Sequence, residues 1–263
     1  MDLQLSNKIA LVTGASKGLG YSTAHILAEE GARVVINSRD PQHVEDAVQT
    51  IRRETGAEVI GITGDITLNE TVANAIQTVV NRFGGLDILI GNAGGPTPGK
   101  FDSLTDEDWY KGIELSLMSQ VRLIRAALPY LRKSSCASVL TISSYSVKQP
   151  IPNLILSNSI RASVVGLTKS LALELGNEGI RFNSILPGWT RTERVIDLMK
   201  ARSQQNGTTI EDEIASQIKE SPLGRIAEPI EFGRAAVFLV SPVASYITGT
   251  TLSVDGGMVK GTF

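Results

Sequence analysis

A hydroxyl and a guanidinium stand four residues apart at Ser157 and Arg161, within the run LILSNSIRASVVGLTKSLALEL (154–175). On a helix, this spacing puts both side chains on one face. A guanidinium keeps its charge at any useful pH and a hydroxyl can donate a hydrogen bond. The guanidinium can therefore help to stabilise an oxyanion that develops during a reaction. Two structural alternatives stay open, with Arg161 as an ion-pair partner and Ser157 as a small residue at a tight helix contact.

A second chemical signal is the run TGASKGLG (13–20), which follows an apolar segment and opens a helical pattern. Gly14, Gly18 and Gly20 allow the backbone to approach a pyrophosphate, whose charge the N-terminus of the next helix favours. The alternative is a tight turn without a ligand. Because the run lies between a predicted strand and a predicted helix, we favour nucleotide binding.

Both signals require a framework of strands and helices, and the sequence alternates between the two from end to end. Seven apolar runs predict buried strands, at 8–13, 33–37, 58–63, 86–91, 137–143, 181–186 and 251–255. Their apolarity is continuous rather than alternating, which is typical of parallel strands covered on both faces. We therefore predict an α/β fold with a doubly wound parallel sheet, the Rossmann fold, in one domain over residues 1–263.

The predicted helices carry start signals in the sequence. Thr67 with Glu70, and Thr105 with Asp108, have the spacing of capping boxes, and Asp40-Pro41 pairs an N-cap residue with proline at the first helical position. Long helices are predicted at 106–132 and 154–179.

Composition excludes several classes of function. The formal net charge is −2, so no basic field argues for nucleic acid. We find no signal-peptide pattern and no apolar run long enough to span a membrane, and we expect a soluble cytoplasmic protein. Cys136 is the single cysteine and the chain has two histidines, which argues against disulfides and against a metal site.

Five motifs in order resemble those of the short-chain dehydrogenase/reductase family, and the 3-oxoacyl-acyl-carrier-protein reductases look closest. They are TGASKGLG (13–20), GNAGG (91–95), TISS (141–144), ILPGWTRT (185–192) and YITGTTLSVDGG (246–257). The resemblance covers almost the whole chain and implies a nicotinamide cofactor, a carbonyl or alcohol substrate and a homo-oligomer, most often a tetramer or dimer. The cofactor residues that it implies are Gly14, Ser16, Lys17, Gly18, Leu19, Gly20, Ser38, Arg39, Asp65, Ile66, Asn92, Ala93, Gly94, Arg161, Pro187, Gly188, Thr190 and Thr192.

The resemblance also shows that the catalytic positions are altered. The family's serine falls on Ser144 and is kept. Ser157 stands where the family has its tyrosine, Arg161 where it has its lysine, and Ser116 where it has its asparagine. Tyrosine would protonate the carbonyl oxygen, and serine is a far weaker acid than a phenol. Tyr145 and Lys148 could instead supply the phenol and the ammonium group that the altered positions lack. The alternative is that Tyr145 is only a packing residue.

The end of the second strand indicates which cofactor binds. An acidic side chain there would bind the adenine ribose of NAD, but this chain has Ser38 and Arg39, with Lys17 in the glycine loop. Cations and a hydroxyl suit the 2′-phosphate of NADP, so NAD is the weaker candidate. The alternative is that both cations are only exposed surface residues. Asp65 matches the position that binds adenine and could equally cap a helix near Thr67.

Residues 193–222 form a predicted substrate lid. Six apolar side chains could cover a hydrophobic substrate or merely pack a helical hairpin: Val195, Ile196, Leu198, Met199, Ile210 and Ile214. Trp189 is a candidate to line the pocket. Two hypotheses for the function follow, an NADP-dependent reductase with a modified acid site and a catalytically silent NADP-binding module. The intact cofactor motifs favour the reductase.

Overall fold

The computed structural model describes residues 1–262 and is built on one sheet of seven parallel strands. The predicted domain ends at Phe263, which lies outside the described residues. The strands are β1 (Ile9–Thr13), β2 (Arg33–Ser38), β3 (Val59–Thr63), β4 (Ile88–Gly91), β5 (Ser138–Ile142), β6 (Arg181–Pro187) and β7 (Thr251–Val254). Their order in space is β3-β2-β1-β4-β5-β6-β7. The predicted doubly wound parallel sheet is confirmed.

The strands are buried because helices cover both faces of the sheet. The helices are α1 (Gly18–Glu29), α2 (Pro41–Thr55), α3 (Asn69–Phe83), α4 (Asp106–Ile113), α5 (Ser119–Leu131), α6 (Ile155–Leu175), α7 (Glu193–Asn206), α8 (Ile210–Lys219) and α9 (Pro229–Val240). Apolar residues of α1, α2 and α9 pack on one face of the sheet, and those of α3, α5 and α6 pack on the other. Every residue of β4 and β5 is buried, which explains why these runs are continuously apolar.

Two of the three predicted helix starts are confirmed. Asp40 accepts a hydrogen bond from the backbone N–H of His43 at 2.9 Å, and Thr105 forms a capping box with Asp108.

The predicted box of Thr67 and Glu70 is wrong. Asp65 Oδ1 accepts hydrogen bonds from both the backbone N–H and the hydroxyl of Thr67, so this threonine is held in a turn before the helix. Helix α3 then begins at Asn69, with Leu68 as its N-cap. The short-range bond of an aspartate to the backbone two residues on competes with helix capping.

The predicted long helix at 106–132 is interrupted by a π-helical segment, Glu114–Met118, between α4 and α5. Glu114 opens this segment, and Arg122 donates two hydrogen bonds to its carboxylate, at 2.6 and 3.1 Å. Single π-helical turns are frequent at functional sites. Ser116 lies in the middle of the segment. The predicted helix at 154–179 ends earlier, at Leu175, and a short 3-10 turn follows it.

None of the helices within residues 1–262 combines the length and the apolar character that crossing a lipid bilayer requires.

Candidate active site

The order of the strands brings four chemically important loops together. Strands β1, β4, β5 and β6 lie side by side and run parallel, so the loops that follow them share the carboxyl edge of the sheet. From β1 the next strands in sequence, β2 and β3, are added on one side, and β4 to β7 are added on the other, so the strand order reverses between β1 and β4. Ligands of doubly wound folds bind at this edge, beside the point of reversal.

The loop after β1 is shaped for close approach of a ligand to the backbone. Gly14 and Gly18 have φ angles of 57° and 63°, which other residues adopt rarely. A Cβ at Gly20 would overlap the carbonyl oxygen of Gly14. Helix α1 begins at Gly18, and its N-cap residue, Lys17, provides no side-chain cap for the first-turn N–H groups. Such a helix end offers free donors and a partial positive charge to a phosphate.

The loop after β4 is fastened to this glycine loop. The side-chain amide of Asn92 donates to the carbonyl oxygen of Gly14 at 2.9 Å. Thr13 and Asn92 exchange two more hydrogen bonds, at 2.7 and 2.9 Å, through the threonine hydroxyl. Ala93 and Gly94 follow at the same edge. These loops form a braced backbone cradle that fits the pyrophosphate and ribose groups of a dinucleotide.

A polar group lies at the end of β2, where the adenine ribose would bind. Ser16 donates from its hydroxyl to that of Ser38 at 2.9 Å, and Arg39 is exposed beside them. Lys17 forms an ion pair with Glu193, the first residue of α7. Asp40 does not form an ion pair with Arg39, and its carboxylate caps α2 instead.

Asp65 and Ile66 follow β3, on the adenine side of the predicted site. Asp65 holds Thr67 in the turn described above, and Ile66 is buried in the core. The structure thus gives Asp65 a turn-forming role beside the predicted adenine contact.

The loop after β6 closes the other side of the cradle. A Cβ at Gly188 would lie 2.6 Å from the Cα of Asp255, so only glycine fits after Pro187. Thr190 is buried, and Thr192 caps α7 by accepting from the backbone N–H of Val195 at 3.4 Å. The Thr192 side chain also lies beside the glycine loop, 3.5 Å from the point where a Cβ of Gly18 would be.

Arg161 lies between the ends of β4 and β5. Its guanidinium donates to the carbonyl oxygens of Ile142 at 3.1 Å, Ser143 at 3.0 Å and Gly94 at 3.3 Å. Among the described residues no acidic side chain forms an ion pair with it, so the ion-pair alternative has no partner there. Burial, with a smaller effect from Arg194, lowers the pKa of Arg161 to about 10, which still leaves the group charged at neutral pH.

The three serines of the predicted centre lie on α6 itself, on the loop after β5 and on the π-helical segment that packs against α6. Ser144 directly follows one of the carbonyls that Arg161 binds, and its hydroxyl accepts from the backbone N–H of Ser146 at 3.1 Å. Ser157 is half-buried one helical turn before Arg161 on α6. Ser116 is buried in the π-helical segment, which packs against α6, and no described residue is a hydrogen-bond partner for its hydroxyl. A buried hydroxyl without a protein partner is uncommon, and Ser138 and Ser146 share this feature in the described structure.

Tyr145 is a packing residue in this structure. Its ring meets that of Trp189 edge-on, with centroids 6.3 Å apart, within the apolar cluster under the predicted lid. Burial, assisted by Glu220, raises the pKa of Tyr145 to about 12. Because the Tyr145 side chain packs against Trp189 in this cluster, the rescue by Tyr145 and Lys148 is not supported.

The predicted lid forms a helical hairpin of α7 and α8. Gly207 ends α7 with φ at 67°, and Thr209 and Asp212 form a capping box for α8. Five of the six apolar side chains named above, all but Ile196, pack in the apolar cluster that contains Trp189. The packing around Trp189 leaves no cavity large enough for water, so hairpin packing describes these residues best. The open space is polar, a cleft of about 230 Å³ beside Tyr145 that Gln149, Arg202 and Glu220 help to line.

Arg194 is a residue of this site that the sequence interpretation missed. Its guanidinium donates to the carbonyl oxygen of Pro96 at 3.4 Å, and a Cβ at Gly95 would overlap it. A signal was present in the sequence, since a cation in the first turn of a helix opposes the helix dipole and suggests another role.

Comparison with known proteins agrees with this architecture. A family model described as Enoyl-(Acyl carrier protein) reductase matches residues 14–259. The 3-oxoacyl-[acyl-carrier-protein] reductase FabG of Chlamydia trachomatis is 32% identical over 255 residues, which cover 97% of this chain and 98% of that protein.

Two solved structures are similar over the same length. L-sorbose reductase from Gluconobacter frateurii, complexed with NADPH and L-sorbose, has a TM-score of 0.95 and 32% identity, and the match covers 99% of this chain and 100% of that one. An NADPH-bound short chain oxidoreductase from Pseudomonas aeruginosa PAO1, which contains an atypical catalytic center, has a TM-score of 0.89 and 30% identity, covering 98% and 100%. The resemblance seen in the five motifs is confirmed, and the chain belongs to the short-chain dehydrogenase/reductase family of oxidoreductases.

Proposed function

We propose that this chain is an NADP-dependent reductase that converts a carbonyl to an alcohol with a modified acid site. One observation carries the proposal. Arg161 holds a half-buried positive charge next to Ser144, fixed by three backbone carbonyls and by no carboxylate among the described residues. A charge that no protein anion neutralises is available to an oxyanion.

The chemistry follows from the types of side chain. Bound NADPH supplies a hydride to the carbonyl carbon. As the electron pair of the carbonyl moves to oxygen, the Ser144 hydroxyl donates a hydrogen bond to that oxygen and Arg161 stabilises its negative charge. Neither group is a good acid near pH 7, so a water molecule delivers the proton, and Ser157 holds that water.

The expected rate is lower than with a tyrosine acid. General acid–base catalysis is typically worth 10²–10⁴ in rate, or roughly 3–5 kcal/mol of barrier. Holding the two reacting groups in place contributes about 7–11 kcal/mol, and the braced loops around Gly14 and Asn92 retain this contribution. Slow reduction is therefore physically reasonable. Both solved relatives contain NADPH, and one of them has an atypical centre.

The second candidate function is a silent NADP-binding module that acts as a sensor or an oligomer partner. The three bonds of Arg161 to backbone carbonyls favour it, because they also give the residue a structural role. The two candidates differ in one measurement. Stopped-flow recording of NADPH oxidation over a panel of ketones and aldehydes, with calorimetry of NADPH binding, separates them. Binding without oxidation of NADPH by any carbonyl refutes the reductase, and turnover that Ser144→Ala abolishes supports it.

We expect NADPH to bind more tightly than NADH, because Ser16, Ser38 and Arg39 surround the predicted position of the 2′-phosphate. Arg39→Ala should narrow the difference between the two binding free energies by about 1–3 kcal/mol, the usual range for a charge-assisted hydrogen bond. Calorimetric titration with NADPH and with NADH measures this difference in binding free energy. Arg53→Ala, an exposed cation on α2, is the matched control. Equal affinities in the unmutated protein would show that this group does not select the cofactor.

We also expect a homo-oligomer, most simply a tetramer. Large apolar side chains are exposed near the elements through which the family assembles, including Tyr110 on α4, Leu173 on α6 and Tyr246 before β7. Apolar surface of this kind favours association. Light scattering at micromolar concentration should give about four times 28.1 kDa. A particle of one chain's mass would refute the expectation. A cytoplasmic location stays a prediction from the sequence.

A further inference from the structure

Arg194 is placed where it does not serve the stability of the fold. It is the second residue of α7, close to the positive end of that helix, and a cation there is unfavourable. No acidic group among the described residues forms an ion pair with it. The residue is exposed, although partial desolvation lowers its pKa and Asp197, one turn along the helix, only partly offsets this. Neither the helix dipole nor an ion pair therefore explains why a cation stands here.

The loop after β4 is shaped to accept this side chain. Gly95 leaves the space that the guanidinium occupies, since any Cβ there would overlap it. The loop itself lies at the carboxyl edge of the sheet, between the predicted cofactor cradle and the predicted lid. Helix α7 and the loop after β4 thus place a cation at the carboxyl edge of the sheet.

The two arginines of the site differ in how many hydrogen bonds their guanidinium groups donate. Arg161 uses its guanidinium on three carbonyl oxygens, so it acts mainly through its charge. Arg194 makes one long hydrogen bond, at 3.4 Å to Pro96, although a guanidinium has five N–H donors in a planar fork. The charge of Arg194 also lowers the pKa of Arg161, so the two cations are near enough to repel each other. An anion between them would relieve the repulsion.

The phosphates of the cofactor have other partners. The free N-terminus of α1 and the glycine loop suit the pyrophosphate, and Ser16, Ser38 and Arg39 suit the 2′-phosphate. The guanidinium of Arg194 lies instead against Gly95 and Pro96, in the loop after β4.

We infer that the substrate carries a carboxylate near its carbonyl group, and that Arg194 binds this carboxylate through its guanidinium fork. The substrate class is a short 2-oxo or 3-oxo acid. Arginine and carboxylate form paired, charge-assisted hydrogen bonds that fix orientation as well as position. The carboxylate sets the position of the carbonyl between Ser144 and Arg161. This inference rests on the proposed reductase activity.

The test compares acids with their uncharged esters. NADPH oxidation is measured with 2-oxobutanoate and acetoacetate, and with the methyl ester of each. For whichever acid is reduced more efficiently, the unmutated protein should have a higher kcat/KM with the acid than with its methyl ester. Arg194→Met should lower kcat/KM for that acid about 10- to 100-fold and leave kcat/KM for the ester almost unchanged. The Kd of NADPH should stay the same.

Three further variants complete the test. Gly95→Ala should lower the selectivity for the acid in the same direction, because the new methyl group displaces the guanidinium, and the φ of Gly95 is not in the left-handed region. Arg191→Met, three residues earlier in the chain and paired with Glu228, is the matched control and should keep the selectivity. Arg194→Lys should retain part of it.

Each other outcome has a defined meaning. Equal kcat/KM for acid and ester in the unmutated protein overturns the inference and leaves the reductase intact. A weaker Kd for NADPH in Arg194→Met, with an unchanged ratio of acid to ester, also overturns it and assigns the residue to the cofactor. If no carbonyl is reduced, the proposed reductase fails, and the inference is judged by calorimetry of both acids with the NADP⁺-loaded protein. Binding of an acid that Arg194→Met removes supports it, and no binding to the unmutated protein overturns it.

Discussion

Arg161→Met should lower kcat/KM for carbonyl reduction at least 100-fold and weaken the binding of NADPH. Methionine keeps much of the volume and removes the cation that binds the carbonyl oxygen of Ser143, directly before Ser144. Stabilisation of a developing oxyanion by a single fixed group is typically worth 10²–10³ in rate. The family resemblance further predicts a contact of this residue with the nicotinamide ribose, which accounts for the effect on binding. Stopped-flow kinetics and calorimetry measure the two effects.

The structural part of that loss must be separated from the chemical part. Arg161→Met also removes the hydrogen-bond donors for the carbonyls of Ile142, Ser143 and Gly94. Arg161→Lys is the control, because it keeps the charge with fewer donors and should retain a larger share of the activity. Circular dichroism and a thermal melt establish that both variants are folded. A folded, cofactor-bound Arg161→Met protein with full activity would place the stabilising charge elsewhere.

The framework of this site could be predicted because it depends on local patterns. Strands covered on both faces are continuously apolar, so all seven appear in the sequence to within two residues at each end. The glycine loop was recognisable because positive φ angles and close backbone contacts both demand glycine. The shared face of Ser157 and Arg161 follows from helical geometry alone.

The parts that escaped prediction depend on contacts between distant residues. Arg194 meets Gly95 and Pro96 from almost one hundred positions away, and no periodicity records such a meeting. The capping box of Thr67 failed because Asp65 competes for the same donors.

Apolar patterning has a similar limit. It predicts that a side chain is buried but does not identify the residues or the ligand against which it packs. The apolar residues of α7 and α8 therefore gave no sign that they pack on Trp189 rather than on a substrate. The interruption of the long helix before α5 by a π-helical turn around Ser116 likewise leaves the sequence pattern of a helix unchanged.

Arg181→Met should give the largest loss of stability among single arginine substitutions in this chain. Arg181 begins β6, is 9% exposed, and donates to four carbonyl oxygens, those of Leu239 at 2.8 Å, Val240 at 2.9 Å, Ser241 at 3.0 Å and Ile247 at 3.2 Å. Three of these carbonyls end α9, where the helix itself offers no donors.

The charge adds to this effect. A cation at the C-terminus of a helix is favourable, and burial lowers the pKa of Arg181 without a carboxylate to compensate. Methionine fills a similar volume but leaves several buried acceptors without a donor, at about 1–3 kcal/mol for each acceptor that water does not reach. We expect the free energy of unfolding to fall by about 3–5 kcal/mol, the range for removing one partner of a buried charged group.

Thermal and urea unfolding at one fixed protein concentration measure this loss, because assembly makes the melting temperature depend on concentration. At roughly 2–4 °C per kcal/mol for a chain of this size, Tm should fall by about 6–20 °C. Arg132→Met is the matched control, since its guanidinium binds the carboxylate of Glu178 on the surface, and such pairs contribute little. If Arg181→Met melts within a degree or two of that control, water has replaced the arginine at the end of α9, and the guanidinium is not what holds β6 to that helix.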